Sequence, residues 1–313
     1  MSRAFSFSAV LTLLAIAAAG SFGDPRVQAQ TSAPERFTVQ SDGHGMAVWA
    51  RRPASPRGAV LLVHGRTWSS RPDFDLQVPG LRRSVMASLA AQGFAAYAVD
   101  MRGYGETPRD ATGWLTPKRA AADTLNVLTW ITAQHPSLPK PALVGWSRGA
   151  ATSMLAAQSA PARLSALVLF GFAFDPAATF TDSTYPDKPP MVRNTAAAAA
   201  SDFVSPHVTP RAVVEAFVAQ ALRSDPINAD VKNDGEFAAL SPQKLTVPTL
   251  VLYGERDSNV PSADGAKFFD RIAATDKQMV QLPGADHAAQ LEDTHDAWIA
   301  AVVNFITRPP ARR

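Results

Sequence analysis

The sequence predicts an α/β fold in which a mostly parallel central sheet is flanked by helices. Short, continuous apolar runs alternate along the chain with longer segments rich in helix-forming residues. Such runs are typical of parallel strands buried on both faces, and their alternation with helices favours a sheet covered on both sides. The alternation stops between residues 172 and 245, which predicts a helical insertion in a core domain made of residues 30–171 and 246–313.

The composition is that of an ordinary globular chain. It has 313 residues, of which 46% are hydrophobic and 18% charged, enough for one large domain with a sizeable core. The net charge of +3 is small and the basic residues are scattered, so we expect no nucleic-acid partner. The sequence contains no cysteine, which excludes disulfides, thiolate metal sites, a cysteine nucleophile and a lipid-modified cysteine anchor.

Residues 1–29 predict a secretory signal peptide. Arg3 precedes an apolar run over residues 9–19, and Val27-Gln28-Ala29 fits the small-residue rule for cleavage, with a mature start near Gln30. Cleavage after Ala19 is an alternative. The apolar run is shorter than the ~20 residues that a transmembrane helix needs, and an uncleaved anchor is the other alternative. We therefore expect a bacterial periplasmic or secreted protein without stable membrane insertion after cleavage.

The predicted elements begin with a β-hairpin, residues 36–40 and 46–51, that turns through residues 41–45. Apolar runs predict later strands at 59–64, 94–99, 141–146, 164–171, 248–253 and 277–282. Segments rich in helix formers predict helices near 80–92, 117–134, 147–160, 262–273 and 292–307. Inside the insertion, the alanine run 196–200 and the periodic segment 210–222 predict two more helices, the second capped by Thr209 with Pro210 in its first turn.

One predicted strand runs into Gly145-Trp146-Ser147-Arg148-Gly149 and then into a helical segment. Glycines two residues before and after a serine allow a sharp, strained turn that exposes the serine oxygen. The turn also places the Arg148 amide at a helix N-terminus, where it can face a developing negative charge. Ser147 is therefore the candidate nucleophile, and the backbone N–H of Arg148 is a candidate oxyanion donor.

A second oxyanion donor is expected in the loop after an earlier strand. The strand at 59–64 ends in His64-Gly65, which makes the backbone N–H of Arg66 the candidate. Trp68, in the same loop, and Trp146, beside the nucleophile, are candidates for an apolar pocket wall.

The candidate acid and base follow the last two strands. Asp257 lies in a polar loop, where it could orient a histidine and stabilise the imidazolium, and Glu255 is its neighbouring rival. His287 could take the serine proton and return it to the leaving group. Among the six histidines of the chain, His295 is the alternative base, but it falls in the last predicted helix.

The chain order Ser147, Asp257, His287, together with the glycine-flanked turn, resembles the α/β-hydrolase superfamily of serine hydrolases over roughly residues 36–308. The resemblance implies an esterase- or lipase-like fold with a cap over the serine, and hydrolysis through an acyl-enzyme. A further family-like segment is the D-x-R-G-x-G run over residues 100–105, for which relatives imply a structural role of Asp100 and Arg102.

A serine at this turn favours a small-molecule ester, lactone or related acyl compound as substrate. Lactonase, amidase, thioesterase and cofactor-free perhydrolase activities stay open on the same residues, as does a noncatalytic binding protein that kept the fold. The sequence contains no phosphate loop, dinucleotide fingerprint or metal-ligand cluster, so we expect neither a cofactor nor a metal.

Overall fold

The computed structural model describes residues 33–172, 184–205 and 208–308. The predicted signal peptide and its cleavage site lie outside these residues, as do parts of the predicted insertion. No helix in these three ranges is long and apolar enough to cross a membrane.

Eight strands in the described ranges form one central sheet. In chain order they are β1 (Glu35–Ser41), β2 (His44–Arg51), β3 (Gly58–Val63), β4 (Phe94–Val99), β5 (Ala142–Trp146), β6 (Ala166–Phe170), β7 (Thr249–Gly254) and β8 (Lys277–Leu282). Their spatial order is β1-β2-β4-β3-β5-β6-β7-β8. The β1–β2 and β2–β4 pairs are antiparallel and the other neighbours are parallel. The mostly parallel sheet that the sequence predicts is therefore confirmed.

The helices of the described ranges flank this sheet. In chain order they are α1 (Ser70–Phe74), α2 (Val85–Ala91), α3 (Pro117–Gln134), α4 (Arg148–Ser159), α5 (Ala196–Ala200), α6 (Arg211–Ser224), α7 (Ser262–Arg271) and α8 (His295–Ile306).

Four helix starts differ from the sequence prediction, that of α4 by one residue, and α1 was not predicted. The helix expected from residue 80 begins only at Val85, because the Ser84 hydroxyl accepts the Ala87 amide at 3.0 Å and caps it there. The last helix begins at His295, three residues later than predicted. The cap predicted at Thr209 is wrong: α6 begins at Arg211 after an extended Pro210, and the Thr209 hydroxyl has no hydrogen-bond partner among the described residues.

The core lies in two layers, one on each face of the sheet. Leu61 and Val63 of β3 pack on one face with α3, α4 and α7, whereas Val60 and Leu62 pack on the other face with α2 and α8. This alternation follows from the two-residue period of a strand. Because both faces are covered, the inner strands β3 to β7 carry continuous apolar runs.

The segment between β6 and β7 packs its helices against the core through a third apolar cluster. Trp68 and Leu76 come from the segment after β3, Phe217 comes from α6, and Leu291 follows β8. The Trp68 and Phe217 rings meet edge to face, with centroids 6.3 Å apart. This contact places the segment beside the loop that follows β3.

Candidate active site

The turn after β5 holds Ser147 in a backbone conformation that residues with a Cβ rarely adopt, φ 53° and ψ −120°. Its amide donates to the Phe170 carbonyl on β6 at 2.9 Å. A Cβ at Gly145 would lie 2.4 Å from the Gly149 carbonyl oxygen, and a Cβ at Gly149 would lie 2.3 Å from the His64 and Val63 carbonyl oxygens. Both glycines are therefore required by close backbone packing.

His287 and Asp257 are hydrogen-bonded to each other in the structure. The Nδ1 atom of His287 lies 2.9 Å from Oδ2 of Asp257, and both side chains are buried. The other carboxylate oxygen accepts the Asn259 amide at 2.9 Å. An ionised carboxylate only accepts, so Nδ1 carries the proton and Nε2 keeps its lone pair. The arrangement leaves Nε2 able to act as a base.

Ser147 and His287 line one small cavity of about 50 Å³, together with Arg66, Trp68 and Trp146. The chain brings these residues together from three separate segments, the loop after β3, the end of β5 with the turn that follows it, and the loop after β8.

The two rival residues are engaged elsewhere. The Glu255 carboxylate accepts the Gly284 amide at 2.7 Å. The His295 ring lies 2.8 Å from the Ser88 hydroxyl and 2.6 Å from the Gln290 carbonyl oxygen. Among the hydrogen bonds of the described residues, none joins either side chain to Asp257 or His287.

Arg148 directly follows Ser147 in the chain, and Arg66 lines the same cavity as Ser147. Arg148 is the first residue of α4, so its amide points out of the helix N-terminus, and Arg66 lines the cavity. Neither amide has an acceptor among the described residues. The Arg148 guanidinium is bound elsewhere, 2.7 Å from an Asp234 carboxylate oxygen and over the Phe237 ring.

The backbone that presents the Arg66 amide is held by its neighbours. The Met101 amide donates to Nε2 of His64 at 3.1 Å, so Nδ1 carries the ring proton and donates to the Gly65 carbonyl at 2.9 Å. Burial lowers the pKa of His64 to about 4, which keeps this ring neutral. The Tyr104 hydroxyl donates to the Arg66 carbonyl oxygen.

The two tryptophans are buried at the cavity and have different contacts. The indole N–H of Trp146 donates to the His287 carbonyl at 2.9 Å, and its ring stacks on Phe170. Trp146 thus holds the loop that carries the histidine. Trp68 is 1% exposed and packs against the segment between β6 and β7.

The loop at residues 100–105 contributes polar anchors below the site. Asp100 is buried and accepts hydrogen bonds from the Trp49 indole at 2.9 Å and the Ser70 amide at 3.0 Å. Arg102 pairs with both carboxylate oxygens of Asp123 at 2.8 Å.

Sequence reasoning missed two carboxyl groups that line the same cavity, those of Asp73 and Asp202. Asp73 lies in α1 and is fully buried, and burial raises the pKa of its carboxyl well above the usual range. Asp202 follows α5, and burial raises its pKa to about 6. No motif marks either residue, because each reaches the cavity only through packing between distant segments.

No group of three or more histidine, cysteine, aspartate or glutamate side chains in the described part of the chain is arranged to hold a metal ion.

A family model described as "Serine aminopeptidase, S33" matches residues 54–294 of the chain. The chain belongs to this family. This S33 protein is similar to a monoacylglycerol lipase of Mycolicibacterium smegmatis, with 28% identity over 252 residues that cover 74% of this chain and 81% of the relative.

Solved structures similar to this S33 protein include esterases and other hydrolases. A carboxylesterase of Bacillus subtilis superposes with a TM-score of 0.61 at 19% identity, covering 90% of this chain and 95% of that one. A hydrolase of Pseudomonas aeruginosa gives a TM-score of 0.62 at 22% identity, covering 89% and 100%. At these identities the structures show the fold alone, and the predicted α/β-hydrolase fold is confirmed.

Proposed function

We propose that this protein is a serine hydrolase that cleaves a carboxylic ester through an acyl-enzyme on Ser147. The observation that carries the proposal is the hydrogen bond of 2.9 Å between His287 Nδ1 and Asp257, with His287 lining a cavity that Ser147 also lines. Membership in the S33 family supports a hydrolase, and the relative named monoacylglycerol lipase supports an ester substrate.

In the first half-reaction, the Ser147 oxygen attacks the ester carbonyl carbon while its proton passes to Nε2 of His287. The Arg66 and Arg148 amides donate to the resulting oxyanion, and the Asp257 carboxylate stabilises the imidazolium. When the intermediate collapses, the bond from the carbonyl carbon to the leaving oxygen breaks. The Nε2 proton moves to that oxygen, and the alcohol departs.

In the second half-reaction, water attacks the acyl carbon of the ester formed with Ser147. His287 takes one water proton, the same two amides hold the second oxyanion, and collapse breaks the bond to the serine oxygen. The proton returns from Nε2 to Ser147, so the free carboxylic acid and the original enzyme are regenerated.

A fluorophosphonate probe tests the nucleophile. We expect labelling at Ser147 in the wild-type protein and none in the Ser147→Ala variant, which should also lose hydrolysis of p-nitrophenyl acetate. Ser153→Ala is the matched control, because Ser153 lies on α4 with a buried hydroxyl that has no hydrogen-bond partner among the described residues. Near wild-type hydrolysis by Ser147→Ala would contradict the proposal.

We also propose that the protein is exported to the periplasm or beyond through residues 1–29. The apolar run over residues 9–19 and the small-residue cleavage site ending at Ala29 support this location. Fractionation of bacteria that express the full chain, with N-terminal sequencing of the mature protein, tests it. A mature start at Gln30 is expected, whereas an intact N-terminus in the cytoplasmic fraction would contradict export.

A further inference from the structure

The loop after β3 that carries the Arg66 amide is held at its two ends. Between these ends, the backbone N–H groups of residues 66–68 have no acceptor among the described residues. At the first end, the Tyr104 hydroxyl donates to the Arg66 carbonyl oxygen. The position of the Arg66 amide therefore also depends on what holds the second end of the loop, at Ser69.

Asp225 holds the second end of this loop. Its Oδ2 atom accepts hydrogen bonds from the Ser69 amide at 2.9 Å and from the Ser69 hydroxyl at 2.8 Å. Both residues are buried, with 3% of Asp225 and 1% of Ser69 exposed. Ser69 directly follows Trp68, which lines the cavity beside Ser147. The carboxyl of Asp225 thus fixes the loop one residue away from the cavity wall.

The other carboxylate oxygen of Asp225 holds the loop after β4. Its Oδ1 atom accepts the Gly105 amide at 2.8 Å. Gly105 directly follows Tyr104, the residue that binds the Arg66 carbonyl. The two loops touch here, because a Cβ on Gly105 would lie 3.0 Å from Cβ of Ser69. One side chain therefore holds both loops that determine where Arg66 lies.

Asp225 is itself fixed within the segment between β6 and β7. It follows the last residue of α6, and its amide donates to the Ala221 carbonyl at 2.8 Å. Its carbonyl accepts the side-chain amide of Asn194 at 2.8 Å. Because both of its backbone polar groups are bonded, the carboxylate has a fixed position from which to hold the two loops.

We propose that Asp225 is a positioning residue that keeps the Arg66 amide where the oxyanion forms, an inference that rests on the proposed ester hydrolysis at Ser147. The segment between β6 and β7 then completes the oxyanion site without contacting the reacting atoms. An amide that stabilises charge formed only in the transition state acts on kcat more than on KM. Its placement matters, because a displacement of about 1 Å can cost about 10²-fold in rate.

Asp225→Asn tests this role, since asparagine has the same shape but only one acceptor oxygen. Its NH2 group donates, so one of the two loops loses its partner. We expect kcat for p-nitrophenyl acetate to fall about ten- to a hundredfold, with little change in KM. Asp230→Asn is the matched control, because Asp230 is buried in the same segment and pairs with Arg109 at 2.7 Å instead of with the loop that carries Arg66.

A sulfur analogue distinguishes a displaced oxyanion amide from a general loss of packing. In p-nitrophenyl thionoacetate, sulfur replaces the carbonyl oxygen, and sulfur is a weak hydrogen-bond acceptor. Each kcat/KM is divided by the rate constant of alkaline hydrolysis of the same compound, which removes the difference in intrinsic reactivity. We expect a normalised oxygen-to-sulfur ratio of about tenfold or more for the wild-type protein. The ratio should approach one in Asp225→Asn and stay at the wild-type value in Asp230→Asn.

Three outcomes overturn the role of Asp225: a wild-type ratio near one, the wild-type ratio in a folded Asp225→Asn protein, or an equal drop of the ratio in Asp230→Asn. Circular dichroism shows whether the variants are folded. If Asp225→Asn does not fold, Ser69→Ala replaces it, because it removes one of the three hydrogen bonds and keeps the carboxylate. Its ratio should lie between one and the wild-type value, and an unchanged ratio also overturns the inference.

Failure of the proposed function gives a different result, in which Ser147 does not react with the fluorophosphonate and neither compound is consumed. If only the role of Asp225 is wrong, labelling is normal and both compounds are cleaved.

Discussion

At Ser147 the backbone is strained where the proposed chemistry takes place. A non-glycine residue in a sparsely populated φ/ψ region costs on the order of 1–3 kcal/mol, and such residues persist only where surrounding packing imposes them. Here the glycines at 145 and 149 let the turn pack directly on the end of β3. This packing holds Ser147 in the strained conformation, and its side chain therefore stays at the cavity rather than in the helix.

Replacing Ser147 by glycine should therefore stabilise the fold while removing activity. Glycine adopts this conformation without a Cβ penalty, so we expect the free energy of unfolding to rise by about 1 kcal/mol. Ser147→Ala is the control, since it also removes the hydroxyl but keeps the Cβ. Urea denaturation of the three proteins measures the difference, and equal stability of the glycine and alanine variants would show that the turn is unstrained.

The acid that orients His287 can be identified by paired substitutions. Asp257→Asn should lower kcat by several orders of magnitude, by analogy with about 10⁴ for the corresponding change in a serine protease, because an amide favours the wrong histidine tautomer. Glu255→Gln should stay near wild type, since Glu255 only accepts the Gly284 amide. Steady-state kinetics with p-nitrophenyl acetate measures both, and the reverse pattern would assign the acid to Glu255.

The sequence predicted the candidate residues that carry a local signal. Ser147 is marked by its glycines, and Asp257 and His287 each follow an apolar strand. The choice of Asp257 over Glu255 became visible only from the contact with His287. Asp73 and Asp202 could not be predicted, because their approach depends on how α1 and the segment between β6 and β7 pack on the core.

At the scale of elements, the loop after β8 is held by two buried carboxyls beside His287. The Asp286 amide donates to Oε2 of Glu292 at 3.0 Å. The Asp286 carboxylate accepts the Ala288 amide at 2.9 Å and the Ser205 amide at 2.8 Å. These bonds join the loop that carries the histidine to the segment between β6 and β7.

Glu292 should make the stability of the protein decrease as pH rises. Burial raises its pKa from 4.5 to about 9, and the neighbouring Asp286 also raises it. The unfolded chain releases this proton near pH 4.5 while the folded protein retains it, so the stabilisation is full below pH 4.5 and is lost as pH rises to about 9.

Glu292→Gln tests this dependence, because glutamine keeps the acceptor for the Asp286 amide without an ionisable proton. We expect the variant to have a higher Tm than the wild-type protein near pH 9, and no advantage at pH 4.5. Thermal denaturation across this range measures the effect. Parallel Tm curves for the two proteins would show that Glu292 does not bind its proton more tightly in the folded state.

The sequence predicted whether a segment is a helix or a strand more reliably than it predicted where that segment begins and ends. The bounds of α3 and β8 match the prediction, and a proline at the first position of α3 marks where that helix begins. The residues at which α2 and α8 begin, and the presence of α1, were not predicted from the sequence. Each depends on a cap or a tertiary contact, such as the Ser84 side chain, that propensity does not describe.

At the scale of the whole molecule, the segment between β6 and β7 shares its apolar contacts with the sheet domain. Phe217 on α6 is fully buried against Trp68, which also lines the cavity beside Ser147. The sequence predicted an insertion here from the missing strands and the prolines. It could not show that the segment between β6 and β7 supplies a wall of the candidate site, since that contact joins residues far apart in the chain.

Phe217→Ala should destabilise the protein by about 3–5 kcal/mol, the usual cost of removing a buried phenylalanine. Because the third apolar cluster joins the segment between β6 and β7 to the core, we expect unfolding to remain a single transition. Val214→Ala on the more exposed side of α6 is the control and should cost less. Chemical denaturation measures both, and a separate early transition for Phe217→Ala would show that the insertion unfolds independently.

Trapping the acyl-enzyme tests the proposed mechanism most directly. The full chain is mixed with p-nitrophenyl acetate, quenched with acid during turnover, and digested for peptide mass spectrometry. We predict an acetyl group on the peptide that contains Ser147, and its absence from the Ser147→Ala protein. Accumulation of the acetyl group on another residue, with Ser147→Ala still active, would contradict the account.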